Sequence, residues 1–199
     1  GAIVGTLRTL PNKWVLRLAN GYVELFRNVP LLMQMFLWYF VVPELLPADW
    51  GRWVKRDLPH PQFITVVLCL GLYTAARVAE QVRSGIEAIP RGQRNAGLAM
   101  GLTPTQVYRH VLIPVAYRTI IPPLTSDFLG VFKNSSLALT IGVLELTAQS
   151  RQIEEYTFAA FEAFAVATVL YCLVTGLVIV IMRVVETRTR IVGAITVGG

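Results

Sequence analysis

Apolar residues run along this chain in long blocks separated by short polar clusters, and several blocks have the length of a membrane span. A helix crossing the hydrocarbon core needs roughly 20 mainly apolar residues. Ala163 to Met182, AFAVATVLYCLVTGLVIVIM, meets that requirement without a charged residue. Gln62 to Val82 is a second block, with Arg77 and Glu80 toward one end, and Pro30 to Pro47 a third, carrying Phe36, Trp38, Tyr39 and Phe40. Val111 to Phe132 is weaker: Pro114, Pro122 and Pro123 interrupt it, and Arg118 and Asp127 charge it. Such interruptions are tolerated where neighbouring helices or a water-lined cavity satisfy the freed backbone groups. Leu137 to Gln149 is apolar but too short to span, which predicts a broken or re-entrant element. AIVGTL at 2–7 reads as the end of a further helix lying upstream. The expected fold class is all-α, multi-pass transmembrane, with about four full spans plus the end of that missing first helix. One membrane domain is expected over 1–190, followed by a short tail, 191–199.

The longest polar interval, Glu87 to Pro114, reads EAIPRGQRNAGLAMGLTPTQVYRHVLIP. Pro90 ends the helix arriving from the second span, and Gln93 to Met100 predicts a short helix. Gly101 then stands where a helix terminates in a left-handed residue. Thr103, Pro104 and Gln106 follow as a capping box, with Thr at the N-cap, Pro at N1 and Gln at N3. The interval therefore encodes two short helices joined at a sharp corner, and Pro114 marks the return to the bilayer. Read without further context, it is either an amphipathic connector on the membrane surface or an ordered hairpin presented to a partner.

Composition agrees with a lipid environment: 54% of residues are hydrophobic and only 15% charged, against about 25% charged in soluble domains. A disordered chain, an acidic tail protein and a disulfide scaffold are excluded; Cys69 and Cys172 both lie inside apolar runs and are expected to be small buried hydrophobes. The net charge of +6 is explained by topology. Arg8, Lys13, Arg17 and Arg27 precede the first full span; Arg83, Arg91, Arg94, Arg109 and Arg118 follow the second; Arg183, Arg188 and Arg190 end the chain. The intervening segments balance Arg52, Lys55, Arg56, Lys133 and Arg151 with Glu44, Asp49, Asp57, Glu145, Glu154 and Glu155. The basic side is cytoplasmic by the positive-inside rule, and nucleic acid is not an expected partner. His60 and His110 fall on opposite sides of the membrane with no metal or catalytic spacing around them. Trp14, Trp50, Trp53 and Tyr73 suit interfacial belts.

The long cytoplasmic interval resembles the motif of bacterial ABC importer permeases: EAA, three residues, G, nine residues, I, any residue, LP. Here it stands as Asn95-Ala96-Gly97, then Gly101, then Val111-Leu112-Ile113-Pro114, with every spacing kept. YVELFRNVPLL at 22–32, YTAARVAEQVRSGIEAIPRGQ at 73–93 and KNSSLA at 133–138 extend the resemblance across about Thr6 to Arg190. Together they are similar to the polar-amino-acid importer permeases, most closely those of glutamate/aspartate import. Asn95 replaces the usual Glu and Gly97 the second Ala, so an ion pair made by that Glu does not carry over.

The resemblance implies the type I ABC importer permease fold and an ATP-driven importer in which this chain is a non-catalytic transport subunit. A second permease, identical or homologous, completes the pathway, and a periplasmic amino-acid-binding protein delivers substrate. Two ATPase subunits bind ATP and Mg and grip the coupling segment, about 87–114, at Asn95, Ala96, Gly97, Met100, Gly101, Leu102, Thr103, Pro104 and Pro114. This chain carries no cofactor of its own and no GxxxxGK[ST] phosphate loop. Its location is the bacterial inner membrane, with the C-terminus cytoplasmic. A membrane scaffold recruiting cytoplasmic partners is the alternative reading; a secondary transporter is another, though the inverted repeat expected of one is not seen.

Arg77, Glu80, Asp127, Asn134, Ser135 and Glu162 are the candidates for the substrate pathway. Arg77, inside a span, needs a partner or water: it serves either a substrate carboxylate or an i,i+3 pair with Glu80. Asp127 and Glu162 face either a cavity or another helix. Asn134 and Ser135, with Ser136, either cap the short apolar element or line the pathway.

Overall fold

The computed structural model describes residues 1–189; Arg190 and the 191–199 tail lie outside the described residues. Among the described residues every regular element is helical. The chain runs through α1 (Ala2–Leu7), α2 (Lys13–Asn28), α3 (Leu31–Phe36), a π turn (Leu37–Val41), α4 (Val42–Leu45), α5 (Ala48–Arg52), a second π turn (Trp53–Asp57) and α6 (Pro61–Glu87). It continues through α7 (Arg91–Ala99), α8 (Pro104–Val107), a third π turn (Tyr108–Leu112), α9 (Ile113–Ser135), a 3-10 turn (Ser136–Ile141), α10 (Leu146–Thr157) and α11 (Ala160–Thr189).

Two helices are long and apolar enough to cross a bilayer unaided: α6, with 27 residues, and α11, with 30. At 1.5 Å per residue they reach about 40 and 45 Å, so their ends project beyond an ~30 Å hydrocarbon core. Two bent pairs qualify only when joined, 13–28 with 31–45 at 106° and 104–141 with 146–157 at 50°. The bend of the first pair falls ahead of the Pro30–Pro47 block, which is itself one helical run, about 23 Å long at 1.5 Å per residue and so short of a full span by itself. Its helix covers residues 31–45 and turns off α2 at a corner made by extended Val29 ahead of Pro30. Pre-proline residues disfavour the helical region, and extended Leu46 ahead of Pro47 ends the block in the same way. Gln34, buried, holds the corner by donating through Nε2 to the Phe26 and Val29 carbonyls, each at 2.8 Å.

The fourth block departs from expectation in the opposite direction, because the prolines do not break it. Residues 104–141 form one helical path. At Pro114 the helix widens into the π turn, where the Ile113 N–H reaches the Tyr108 carbonyl five residues back. That wide turn gives the proline ring its clearance. Pro122 and Pro123 lie inside α9, at a local cost that packing against α6 offsets: Ala116 and Ile120 bury against Val82 and Ile86, with Leu124 beside them. The short apolar element is likewise not a separate helix opened by a serine cap. Ser135 and Ser136 donate back to the Phe132 and Lys133 carbonyls, each at 2.7 Å, and the helix tightens to 3-10 geometry before ending at left-handed Gly142.

α6 is the hub, packed by α1, α2, α3 and α9. Lipid offers no hydrophobic drive between helices, so close approach through small residues matters. Ala76 and Ala79 bury against Val23 of α2, with Val4 of α1 alongside. Gly5 of α1 lies so near α6 that a Cβ there would stand 2.6 Å from the Ala79 carbonyl oxygen and 2.6 Å from Val82 Cβ. α11 leans on α9 and α10 and buries only Ala163, Ala167 and Val178. Cys172 on α11 is consequently exposed, against expectation, while Cys69 is buried.

Gly5→Leu should lower the thermal midpoint of the detergent-purified protein by several degrees, since overpacking costs about 1–3 kcal/mol and each kcal/mol moves a chain of this size by about 2–4 °C. Gly21→Leu, at an α2 position with nothing within 4 Å of an added Cβ, should leave the midpoint unchanged or raise it.

Candidate functional site

Several of the charged residues that the apolar pattern leaves inside or beside the spans meet on α6. Asp127 of α9 is buried, its side chain 2% exposed, and accepts from Arg77 Nε at 2.6 Å and Gln81 Nε2 at 2.5 Å. Arg77 and Gln81 are four residues apart on α6, hence on one face and one above the other. Gln81 Nε2 also donates to the Pro123 carbonyl at 3.3 Å. Both partners of that nitrogen are acceptors, which fixes the amide orientation and leaves Gln81 Oε1 buried without a hydrogen-bond partner. The Arg77 side chain remains 48% exposed. Its guanidinium carbon lies 5.9 Å from the Tyr73 ring centroid, and its two terminal nitrogens have no carboxylate partner among the described residues.

The Arg77–Glu80 pair expected from the i,i+3 spacing does not form. Glu80 is taken instead by three other arginines: Arg8 at 2.7 Å, Arg27 at 3.0 Å and Arg83 at 2.7 Å. Arg8 is buried, and its Nε donates to Asn20 at 2.7 Å. Arg83 continues to Glu87, both oxygens at 3.1 Å. The reason is geometric: Glu80 points toward α1 and α2, whereas Arg77 points toward α9. Between them opens a cavity of about 280 Å³ lined by Arg27, Tyr73, Arg77, Glu80 and Gln81. Arg8, Arg27 and Gln81 were not singled out from sequence as site residues; the i,i+4 relation of Gln81 to Arg77 was the one available signal. Tyr73, assigned to an interfacial belt, instead lines this cavity.

The other pathway candidates lie elsewhere. Asn134 and Ser135 are half-buried near the end of α9, with Asn134 two turns beyond Asp127, about 10 Å along the axis. Glu162 is exposed in the first turn of α11 and makes no contact with the arginine cluster.

A second constellation is the hairpin between α7 and α9. Its corner is a full Schellman motif: Gly101, at φ 81°, donates to the Leu98 carbonyl at 3.0 Å, and Leu102 donates to the Gly97 carbonyl at 3.2 Å. The capping box is present: Gln106 N–H donates to Thr103 Oγ1 at 3.3 Å, and Thr103 N–H to Gln106 Oε1 at 2.8 Å. Gly97 is buried against Val107, and a Cβ at Gly97 would stand 3.0 Å from Val107 Cγ2. Tyr108 OH donates to the Thr9 carbonyl at 3.0 Å, tying the hairpin to the segment after α1. The second limb is not a separate short helix, since α8 runs through the π turn into α9. Asn95, Ala96, Met100, Gly101, Thr103 and Pro104 are exposed, Met100 to 75%, and Leu102 is half-buried. Pro114 is exposed at the second residue of α9.

Comparison with known proteins gives both constellations a context. Residues 1–191 match the family described as "Binding-protein-dependent transport system inner membrane component". The chain is 50% identical over 195 residues, 97% of its length and 79% of the relative's, to the glutamate/aspartate import permease protein GltJ of Escherichia coli K12. It is 31% identical over 191 residues, 96% of its length and 83% of the relative's, to the glutamine transport system permease protein GlnP of the same organism. A crystal structure of an amino acid ABC transporter with histidines superposes with TM-score 0.80 at 28% identity, covering 94% of this chain and 82% of that one. An inward-facing MetNI methionine ABC transporter superposes with TM-score 0.75 at 21% identity over 96% and 86% of the two chains, a likeness of fold.

Arg77→Met should destabilise the protein by roughly 3 kcal/mol, because it strands a buried carboxylate with one amide partner. Adding Asp127→Leu should recover most of that loss. A double-mutant cycle on thermal midpoints checks the coupling; additive effects would show that the pair contributes nothing.

Proposed function

The chain belongs to the binding-protein-dependent transport system inner membrane components, and from that premise we propose that it is the membrane-spanning permease subunit of an ATP-driven importer of glutamate and aspartate. The chain is a transport component rather than an enzyme. The observation that carries the substrate assignment is the 50% identity to a glutamate/aspartate import permease over nearly the whole chain, and an open cavity between α2 and α6 lined by Arg27 and Arg77 supports it. Family membership sets aside the scaffold and secondary-transporter readings.

In this reading a second permease completes the pathway, a periplasmic binding protein delivers the amino acid, and two partner ATPases supply the energy, holding ATP and Mg themselves. The Asn95–Thr105 hairpin docks on an ATPase. Three features support that role: its corner is fixed by backbone hydrogen bonds, Tyr108 ties it to the body of the chain, and Met100 and Leu98 stand exposed on it. A rigid projection with apolar tips suits insertion into a groove on another protein. The chain would lie in the bacterial inner membrane with its C-terminus cytoplasmic, a reading that its arginine distribution supports.

Gly101 offers the sharpest test of coupling. A Cβ there meets nothing within 4 Å, so only the backbone angle restricts the position. Asn tolerates the left-handed region and a β-branched residue does not. Gly101→Val should abolish uptake driven by the binding protein while the chain still inserts in the membrane, and Gly101→Asn should retain it. Normal transport by Gly101→Val would remove the hairpin from coupling.

Topology is checked by thiol labelling in whole cells, in a Cys172→Ser background. Cysteine at Ala48, exposed at the first residue of α5, should react with an impermeant reagent, and cysteine at Thr189 should not. The reverse pattern would overturn the orientation.

A further inference from the structure

We propose that the cavity between α2 and α6 is a recognition site for an amino acid bearing two carboxylates, with Arg27 and Arg77 as the carboxylate contacts and Glu80 as the ammonium contact. The inference rests on the importer reading above and names which residues of this chain meet the substrate.

The charges lining the cavity are two guanidinium groups, Arg27 and Arg77, and one carboxylate, Glu80. An acidic amino acid carries two carboxylates and one ammonium, the inverse set. The wider cluster keeps the same surplus: Arg8, Arg27, Arg77 and Arg83 face Glu80, Asp127 and Glu87, a net charge of one positive unit. A ligand of net charge minus one neutralises it.

The arginines are held so that part of each is free. Arg77 commits Nε to Asp127 and Arg27 commits Nη1 to Glu80, while their side chains stay 48% and 46% exposed. A guanidinium has five donors, so both retain N–H groups for a carboxylate. The buried Asp127 and its Gln81 contact fix where the Arg77 head can be, which limits the reorganisation that binding requires. On the acceptor side, the Glu80 carboxylate lines the cavity and its side chain stays 20% exposed, an acceptor of the kind an ammonium meets. Tyr73 adds a ring that narrows the site beside Arg77. The volume, about 280 Å³, stands near the lower end of the ~300–1,000 Å³ of small-molecule sites. Glutamine, with one carboxylate fewer, would leave one guanidinium unanswered.

Arg27 is the discriminating residue for a test, because its loss leaves Glu80 still paired with Arg8 and Arg83. The full-length chain, assembled with its partner permease and ATPases in lipid nanodiscs without binding protein, is titrated calorimetrically with L-glutamate and L-glutamine. Glutamate should bind at least ten-fold more tightly than glutamine. Arg27→Gln should erase that preference, and Arg27→Lys should keep most of it. No glutamate binding by the wild type, no preference over glutamine, or an undiminished preference in Arg27→Gln would each overturn the inference. Uptake by the wild-type complex with its binding protein is measured in parallel: glutamate uptake with any of those results leaves the importer reading standing, whereas absence of uptake removes that reading itself.

Discussion

One buried carboxylate organises this structure. Asp127 has been taken out of water and given Arg77 and Gln81 of α6 in exchange, which locks the side of α9 to the side of α6 in one register. A buried charge stranded without partners is far costlier than a pair correctly made. In hydrocarbon, where apolar side chains have no preference for each other over lipid, such polar contacts and the close approach of small residues hold helices together. Both devices meet on α6: Gly5 and Ala79 bring α1 against it, Ala76 packs toward α2, and the Glu80 cluster ties Arg8 and Arg27 to the same helix. The cavity exists because the two carboxylates pull neighbouring arginines in different directions.

What could be read from the sequence was what local chemistry decides. Continuous apolar runs marked the long helices α6 and α11, and the Gly101 corner and the Thr103–Gln106 capping box appear where turn and cap chemistry require them. The same local reading failed wherever a distant segment intervened. Pro122 and Pro123 look like helix breakers until α6 is there to pack on the helix that contains them. Arg77 has an acid three residues away, yet its partner is fifty residues distant, because Glu80 faces the opposite neighbours. Tyr73 and Cys172 were misread for a related reason. An aromatic or a thiol within an apolar run carries no sign of which face it occupies until the packing is known.

The hairpin and the cavity differ in the kind of order they possess. The hairpin is specified within about fifteen residues by backbone hydrogen bonds and caps, so its shape is indifferent to what the spans do. The cavity is specified by side chains from α2 and α6 braced by α9, and it changes whenever those helices move. In the proposed reading these are a stiff docking element and a responsive binding element, the two parts that a component linking two different partners requires.

The unbroken helical path from Pro104 to Ile141 joins these two kinds of order mechanically. It is about 57 Å long at 1.5 Å per residue, with the hairpin at one end and Asp127 about 35 Å along it. A rod of that length turns a small push at one end into a tilt felt along its whole length. In the proposed reading the Arg77–Asp127 contact is the fulcrum of that tilt, and the wide π turn at Tyr108–Leu112 lies between it and the docking hairpin. The stroke that such a lever delivers is set by where along the rod the fulcrum stands, so the placement of a single carboxylate in the sequence doubles as a gear ratio.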